Sequence, residues 1–499
     1  MAAWRGSILG AVLRGLTRLL GSLVLLVLVA ALIGAAWIAL RIARYEQTED
    51  FDSMRSKVTA LGALAEAAQA APKSRPNFVV ILFDDLGWGD LGAYRSQAPA
   101  TPRLDRLAAQ GAVFENYYAA APYCTPSRAG LLTGRWPIRT GLTQIVFPRG
   151  HPIDLVQRAT GRPVRLPADE ITLAEALKAG GYATMMVGKW HLGEEAPSLP
   201  NDLGFERFLG VLHSNDMQPL PLWRDREIVE PDPVDQRTLT RRYTDEAVAF
   251  LEQSHERPFF LYVAHTFPHE PLHASTEHNG KSPQGLYGDV LADLDDSTGA
   301  IVDALERLGL ARNTLVLVTS DNGPWFEGSA GGLRGRKNDV LEGGMRVPLL
   351  ARWPGRLPAG QRIEDVAAAV DLLPTLLGLA GLPLPNDRII DGLDLRPLLA
   401  SRRGELPDRP IFYYADRALQ AVRVGRWKAH RRHGVFGGLP VDWPFVSLMP
   451  KGPWLFDLAR DPDESYDASG KQPEELERLE GAMRALESEL ATNPRGWKR

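Results

Sequence analysis

Two short acidic groups lie far apart in the chain, Asp84-Asp85 in DDLGWGDLG and Asp321-Asn322 in TSDNG. Brought together they offer oxygen ligands only, a set that hard cations such as calcium or magnesium prefer, whereas zinc favours histidine or cysteine. Alone, Asp84-Asp85 also reads as a turn or a helix cap. Lys189 and His191 in GKWHLG, with His265 and His269 in FFLYVAHTFPHEPL, add a cation and titratable imidazoles. The only cysteine, Cys124, opens CTPSRAGLLTGR. Pro126 suits a first helical turn and Ala129 to Leu132 continue it, which puts the thiol at a helix N-terminus, where backbone N–H groups favour negative charge. Arg128 follows one turn later. A lone cysteine is more often buried and inert; one set in a polar helix start reads as a nucleophile position. The combined chemistry is that of a metal and an anionic substrate.

A sheet can gather these residues. In open α/β sheets, ligands bind beyond the carboxyl ends of the strands. The apolar run Phe78 to Phe83 has strand length and the composition of a strand buried on both faces; it runs into Asp84-Asp85. Ala183 to Val187 runs into Lys189 and His191, Phe259 to Val263 into His265 and His269, and Leu315 to Thr319 into Asp321-Asn322. Between them the sequence predicts helices after Thr101, with Pro102 in the first position and Gly111 at the end, over Thr172 to Gly180, and around Leu286 to Leu308. Alternating strands and helices imply an α/β fold with a large, mixed but mostly parallel sheet sandwiched by helices.

The 499 residues include 57 Lys and Arg against 61 Asp and Glu, for a net charge of -4. This near-neutral balance argues against a nucleic-acid partner. Ordinary apolar (44%) and charged (24%) fractions exclude wholesale disorder, and one cysteine excludes a disulfide framework or a cysteine-based zinc cluster. Leu19 to Leu40 is uncharged and, at about 1.5 Å per residue, reaches roughly 33 Å, enough to cross a bilayer core. A cleaved signal peptide with a site near Ala35 is the rival reading. The long apolar run and the arginines directly after it, Arg41 and Arg44, favour an uncleaved transmembrane anchor over residues 1–45. The arginine bias orients the catalytic part outside the cytoplasm, in a periplasmic, extracellular or lumenal space. Residues 46–75 read as a stalk or linker, or equally as a first helix packed on the domain. Residues 76–400 read as the catalytic α/β domain, and 401–499 as a smaller domain of antiparallel strands closed by a charged helix.

CTPSRAGLLTGR resembles the signature of the type I sulfatases, in the alkaline-phosphatase-like superfamily, and DDLGWGDLG, GKWHLG, TSDNG, EGGMRVP (342–348) and LFDLARDPDESYD (455–467) extend the resemblance towards the arylsulfatase A-like enzymes. The resemblance implies an alkaline-phosphatase-like fold and hydrolysis of a sulfate monoester. It implies that a dedicated maturation enzyme converts Cys124 to formylglycine, whose hydrate is the nucleophile. Asp84, Asp85, Asp321 and Asn322 would bind calcium (or magnesium) beside Cys124, and Arg128, Lys189, His191, His269 and Lys337 would surround the hydrate and the sulfate. Ser214, in LHSND, sits where these enzymes place a sulfate-contacting serine. In that scheme an acceptor such as an Asp takes the attacking proton, His269 or Lys337 protonates the departing alcohol, and His191 deprotonates the second hydroxyl to expel sulfate.

Two other readings stay open: a phosphodiesterase or phosphonate monoester hydrolase of the same superfamily, and a noncatalytic anchored protein that binds sulfated ligands with Cys124 left as a thiol. The literal HExxH of His269 to His273 fails as a zinc site because Pro271 opposes the continuous helix it needs, and GGLRGRK (331–337) lacks phosphate-loop spacing and reads as a loop carrying Lys337. His430 reads equally as a substrate contact or as packing; Trp443, Phe445 and Trp454 read as a small core. Sulfated carbohydrate, sulfolipid and small aryl ester all remain as substrates, since specificity falls to loops such as 145–168 and 213–240.

Overall fold

The computed structural model describes residues 2–70, 72, 74–95, 97–253, 256–401, 404–431 and 452–498. Trp443 and Phe445 lie outside them. The chain divides into two units, Met1–Thr48 with Arg149–Val164, and Glu49–Pro148 with Arg165–Arg499.

The larger unit is organised by a ten-stranded sheet of β1 (Asn77–Phe83), β2 (Ala112–Tyr118), β3 (Ala183–Lys189), β4 (Arg207–Val211), β5 (Leu222–Arg224), β6 (Glu227–Glu230), β7 (Phe259–Ala264), β8 (Thr314–Ser320), β9 (Leu349–Arg352) and β10 (Gln361–Ala368). Their order across the sheet is β10-β2-β9-β8-β1-β7-β3-β4-β5-β6. The central β8-β1-β7-β3-β4 ladder is wholly parallel, while β9 runs antiparallel between β2 and β8. Side chains alternate across a strand, so β1 sends Phe78, Val80 and Leu82 into one apolar core and Val79, Ile81 and Phe83 into the other. A continuous apolar run is what such a two-faced strand requires.

Two of the expected helix starts are satisfied in different ways. Leu173–Ala179 is opened by a capping box, Thr172 Oγ1 accepting from Glu175 N at 3.1 Å and Glu175 accepting from Thr172 N at 3.0 Å. Pro102–Ala109 begins at the expected proline, yet Thr101 does not cap it. Asp295, from the Gly285–Arg307 helix, takes that place by accepting from the amides of Arg103 and Leu104 at 3.0 and 2.8 Å. The helix also stops at Ala109, with Gln110 as its C-cap, before Gly111. A tertiary carboxylate satisfies the free amides better than the local hydroxyl can.

Phe51–Ala70 is a helix that buries Ser53, Lys57, Ala60 and Leu64. Lys57 pairs with Glu175 at 2.5 Å and donates to the Ala168 carbonyl at 2.7 Å, so this stretch packs on the catalytic body, the alternative that its composition left open to a free stalk. At the other end, β11 (Pro410–Ala415), β12 (Ala418–Val424), β13 (Trp427–His430) and β14 (Trp454–Asp457) form an antiparallel sheet against which Pro473–Thr492 buries Leu479, Met483 and Leu486. His430 is a packing residue there: it is buried, with Nε2 2.6 Å from Glu464 Oε1 in a cluster with Lys428 and Glu342.

The smaller unit consists of the long helix Ala2–Ala43 and the short helix Pro152–Thr160. The stretch Gly15–Ala43 contains an 18-residue window with a mean hydropathy of 2.9, none of it buried, and is long and apolar enough to cross a membrane.

His265, directly after β7, is buried with Nε2 3.2 Å from Ser297 Oγ and its ring beside Phe83 and Tyr243. Burial holds its pKa down to about 3 from an ordinary 6.5. Between those values the unfolded chain takes up a proton that the folded chain refuses. The contribution is therefore intact above pH 6.5 and lost progressively below it. Between pH 7 and pH 5, urea melts should show the native chain losing about 2 kcal/mol more unfolding free energy than His265→Gln; equal losses would refute this account.

Candidate active site

Register places the two acidic groups side by side. β1 and β8 are adjacent and parallel, with Phe83 opposite Ser320, so Asp84-Asp85 and Asp321-Asn322 leave the sheet together. Asp85 has φ 68, a left-handed turn that Asp tolerates better than most residues; its amide donates to Asp321 Oδ1 at 3.2 Å. On the far side of β7, β3 ends at Lys189, whose ammonium reaches Asp84 Oδ2 at 2.6 Å and Ser214 Oγ at 3.0 Å. The preceding Gly188 has φ 104, and a Cβ there would sit 1.8 Å from the Ala264 carbonyl oxygen. Only glycine allows that approach while the strand turns Lys189 inward.

The Cys124–Thr133 helix is buried along its whole length. The thiol does sit at its first position, though in an enclosed cluster and not in an open polar turn: Cys124 Sγ is 3.3 Å from Asp84 Oδ1 and 4.0 Å from Asp85 Oδ1. One ligand atom each from Asp84, Asp85, Cys124 and Asp321 all lie within 4.8 Å of one another. Arg128, one turn along, bonds Asp321 Oδ2 at 2.9 Å and the Lys189 carbonyl at 2.6 Å, and lies 3.4 Å from Asp84 Oδ1.

His269 and Lys337 close the site. Lys337 Nζ is 2.8 Å and His269 Nε2 3.8 Å from Asp85 Oδ2, and His269 Nε2 is also 3.5 Å from Ser214 Oγ. Residues 269–273 form a loop, so the HExxH pattern has no helix to sit on. His191 stands apart from this network. Its Nε2 is tied to the Val146 carbonyl at 3.0 Å, but the residue lines the same cavity as Cys124, and its Nδ1 is buried with no hydrogen-bond partner among the described residues. His265, expected beside the chemistry, faces the core of the sheet instead. The cavity, about 720 Å³, adds residues that the sequence did not assign to the site: Trp325, Met217 and Leu272 as apolar wall, Asp216 and Glu270 as acid groups. Trp325 was the most visible of them, three residues beyond Asn322 and past the same strand end.

Charge crowding dominates the electrostatics. Asp84 is desolvated, yet Lys189 and Arg128 hold it well below the usual carboxylate range. Burial and the charge of Asp84 push Asp321 up to about 7, and the same two causes push the Cys124 thiol well above its ordinary value. Burial and Lys189 hold His191 well below 6.5, so its imidazole is neutral at pH 7. Burial also lowers His269; Asp85 raises Lys337 against its own desolvation. The donor set fits a hard cation. Three carboxylates crowd one enclosed point, and Asn322 donates to Asp85 Oδ1 at 2.7 Å while its own Oδ1 is buried without a partner among the described residues. Removing Arg128 would strand Asp321 and leave Asp84 to Lys189 alone, so Arg128→Met should lower unfolding free energy by about 3–5 kcal/mol in urea titrations; a loss under about 1 kcal/mol would contradict that pairing.

Comparison with known proteins agrees with this geometry. The "Sulfatase" family profile matches residues 76–382, and the profile for the "C-terminal region of aryl-sulfatase" matches 406–497. The chain is 42% identical over 393 residues to N-acetylgalactosamine-6-sulfatase of Mus musculus, covering 74% of each chain. It is 39% identical over 474 residues to human arylsulfatase A, covering 86% of this chain and 90% of the relative. Among solved structures, the PsFucS1 sulfatase from Pseudoalteromonas sp. superposes with a TM-score of 0.75 at 28% identity, over 90% of this chain and 96% of the other. With the mixed sheet, the strand-end cluster and these matches in hand, the chain belongs to the sulfatase family, has its alkaline-phosphatase-like fold, and is a sulfuric ester hydrolase.

Proposed function

We propose that this sulfatase works with calcium and with formylglycine made from Cys124 by a maturation enzyme, and that it is held at a membrane with its catalytic domain outside the cytoplasm. The supporting observation is the position of the only cysteine, at the start of a buried helix, on the wall of the cavity and against Asp84 and Asp85. The hydrated aldehyde would supply one hydroxyl for attack on sulfur and a second for sulfate release, which a thiol cannot do. Calcium (magnesium is the other candidate) held by Asp84, Asp85, Asp321 and Asn322 would supply fixed positive charge for the sulfate oxygens.

The chain's own groups divide the remaining work. Lys189, Ser214, His269 and Lys337 present donors to the sulfate, and Arg128 orients Asp84 and Asp321. Lys337, raised and therefore charged, carries a proton at neutral pH and is better placed to meet the leaving alcohol than His269, which burial keeps neutral. His191, neutral with Nδ1 unpaired, is suited to accept a proton at the release step. Residues 1–45 serve as the anchor, 46–75 connect it, 76–400 carry the chemistry and 401–499 form the smaller C-terminal domain. Sulfated carbohydrate is the substrate class to test first, since the mouse relative is named for a 6-sulfated N-acetylgalactosamine.

Mass spectrometry of the Cys124 peptide from the native host should find the side chain altered by loss of its sulfur with two hydrogens and gain of one oxygen, and Cys124→Ala should reduce aryl-sulfate turnover by on the order of 10³-fold or more with an unchanged melt. An intact thiol in fully active protein would refute the nucleophile. For the metal, protein dialysed against a chelator should gain about 2.7 kcal/mol of stability at calcium 100-fold above its dissociation constant. Asp321→Asn should weaken that gain; if it leaves the calcium titration unmoved, the ligand set is wrong.

A further inference from the structure

The smaller unit contains a helix with its polarity reversed. On Pro152–Thr160, Asp154 and Gln157 are buried, while Ile153, Leu155 and Val156 are exposed by 43, 37 and 61%. At helical spacing the three aliphatic side chains form one continuous arc, with Asp154, Gln157 and Arg158 opposite. The polar side is used inside the unit: Asp154 accepts from Gly150 N at 2.9 Å and from Arg158 Nε at 2.8 Å, and the Arg158 guanidinium lies 5.4 Å from the centre of the Tyr45 ring. A helix on a water-facing surface is patterned the other way.

The neighbour of this helix says what covers the exposed face. It packs against Ala2–Ala43, whose apolar stretch is itself unburied. Where that stretch ends, Trp37 is exposed with Arg41 over its ring at 5.0 Å, and the Tyr45 hydroxyl donates to the Arg162 carbonyl at 2.7 Å. Trp and Tyr at the end of an apolar span mark the membrane–water boundary. A cavity of about 610 Å³ at the same level is lined by Arg41, Arg44 and Arg158, with Glu46 as its acidic member, leaving a positive surplus. A second copy of the chain would bring the same arginines face to face. An anionic bilayer meets both the apolar arc and the charge.

We infer that Pro152–Thr160 is a second membrane contact. It lies along the interface of the leaflet where the long helix ends, with Ile153, Leu155 and Val156 in the upper acyl region and Arg41, Arg44 and Arg158 against anionic headgroups. This rests on reading Ala2–Ala43 as a membrane-spanning anchor, and the test separates the two. The full chain carrying Cys124→Ala receives one cysteine at a time, Val156→Cys, Ile153→Cys or Leu26→Cys, labelled with an environment-sensitive fluorophore. Each variant is placed in vesicles of phosphatidylcholine and phosphatidylglycerol with nitroxide either high or deep on the acyl chains. At positions 156 and 153, emission should shift to the blue and fall about twofold with the shallow quencher, and less so in vesicles of phosphatidylcholine alone. At position 26 the deep quencher should dominate. Quenching at 26 without quenching at 156 and 153 overturns the second contact and leaves the anchor standing. No lipid quenching at 26 overturns the anchor and this inference with it. A blue shift at 156 without lipid quenching means that protein, such as a second copy, covers the helix, and the bilayer assignment falls.

Discussion

Three carboxylates, Asp84, Asp85 and Asp321, are forced into one enclosed space, and the surrounding structure is arranged to make that tolerable. Buried like charges cannot all stay ionised unless cations neutralise them. Lys189, Arg128 and Lys337 each reach in from a different segment, so the cluster ties together β1, β3, β8, the Cys124 helix and the loop after Asn322. The raised Asp321 records the charge still unbalanced. A resident hard cation is the natural complement, and the same concentration of positive charge is what a sulfate ester needs at its oxygens.

The parallel centre of the sheet makes this geometry cheap to assemble. Each strand carries its polar residues at the same end, and neighbouring strands in register deliver them within hydrogen-bond distance without long loops. Close backbone contact at Gly188, and left-handed turns at Asp85 and His191, then aim side chains that a regular strand would send apart. Strain of this kind persists only where the surroundings over-determine it, and here the surroundings are two continuous apolar cores packed on either face.

The smaller unit carries the opposite surface pattern. Its long helix leaves an apolar surface uncovered and its short helix hides Asp154 while showing Val156. Such patterning would be a defect in water, because exposed aliphatic surface is unfavourable there; beside a bilayer it is the expected arrangement.

Strand ends were legible in the residues themselves because a strand buried on both faces must be apolar throughout, so the first polar residue marks where the sheet stops. That reasoning located Asp84-Asp85, Lys189, His269 and Asp321-Asn322, and the apolar run from Leu19 to Leu40 was equally plain. It could not separate His265 from His269, since which way each side chain turns after β7 depends on the packing of the Gly285–Arg307 helix and on Ser297. Nor could it see that Asp295 would displace Thr101 as a cap or that β14 would complete the second sheet, and it could not choose between a stalk and a packed helix for residues 51–70. Those outcomes depend on partners far away in the chain. Local sequence sets periodicity and polarity, which are properties of neighbouring residues; the choice of partner is made only when distant segments compete to satisfy the same buried charge or amide.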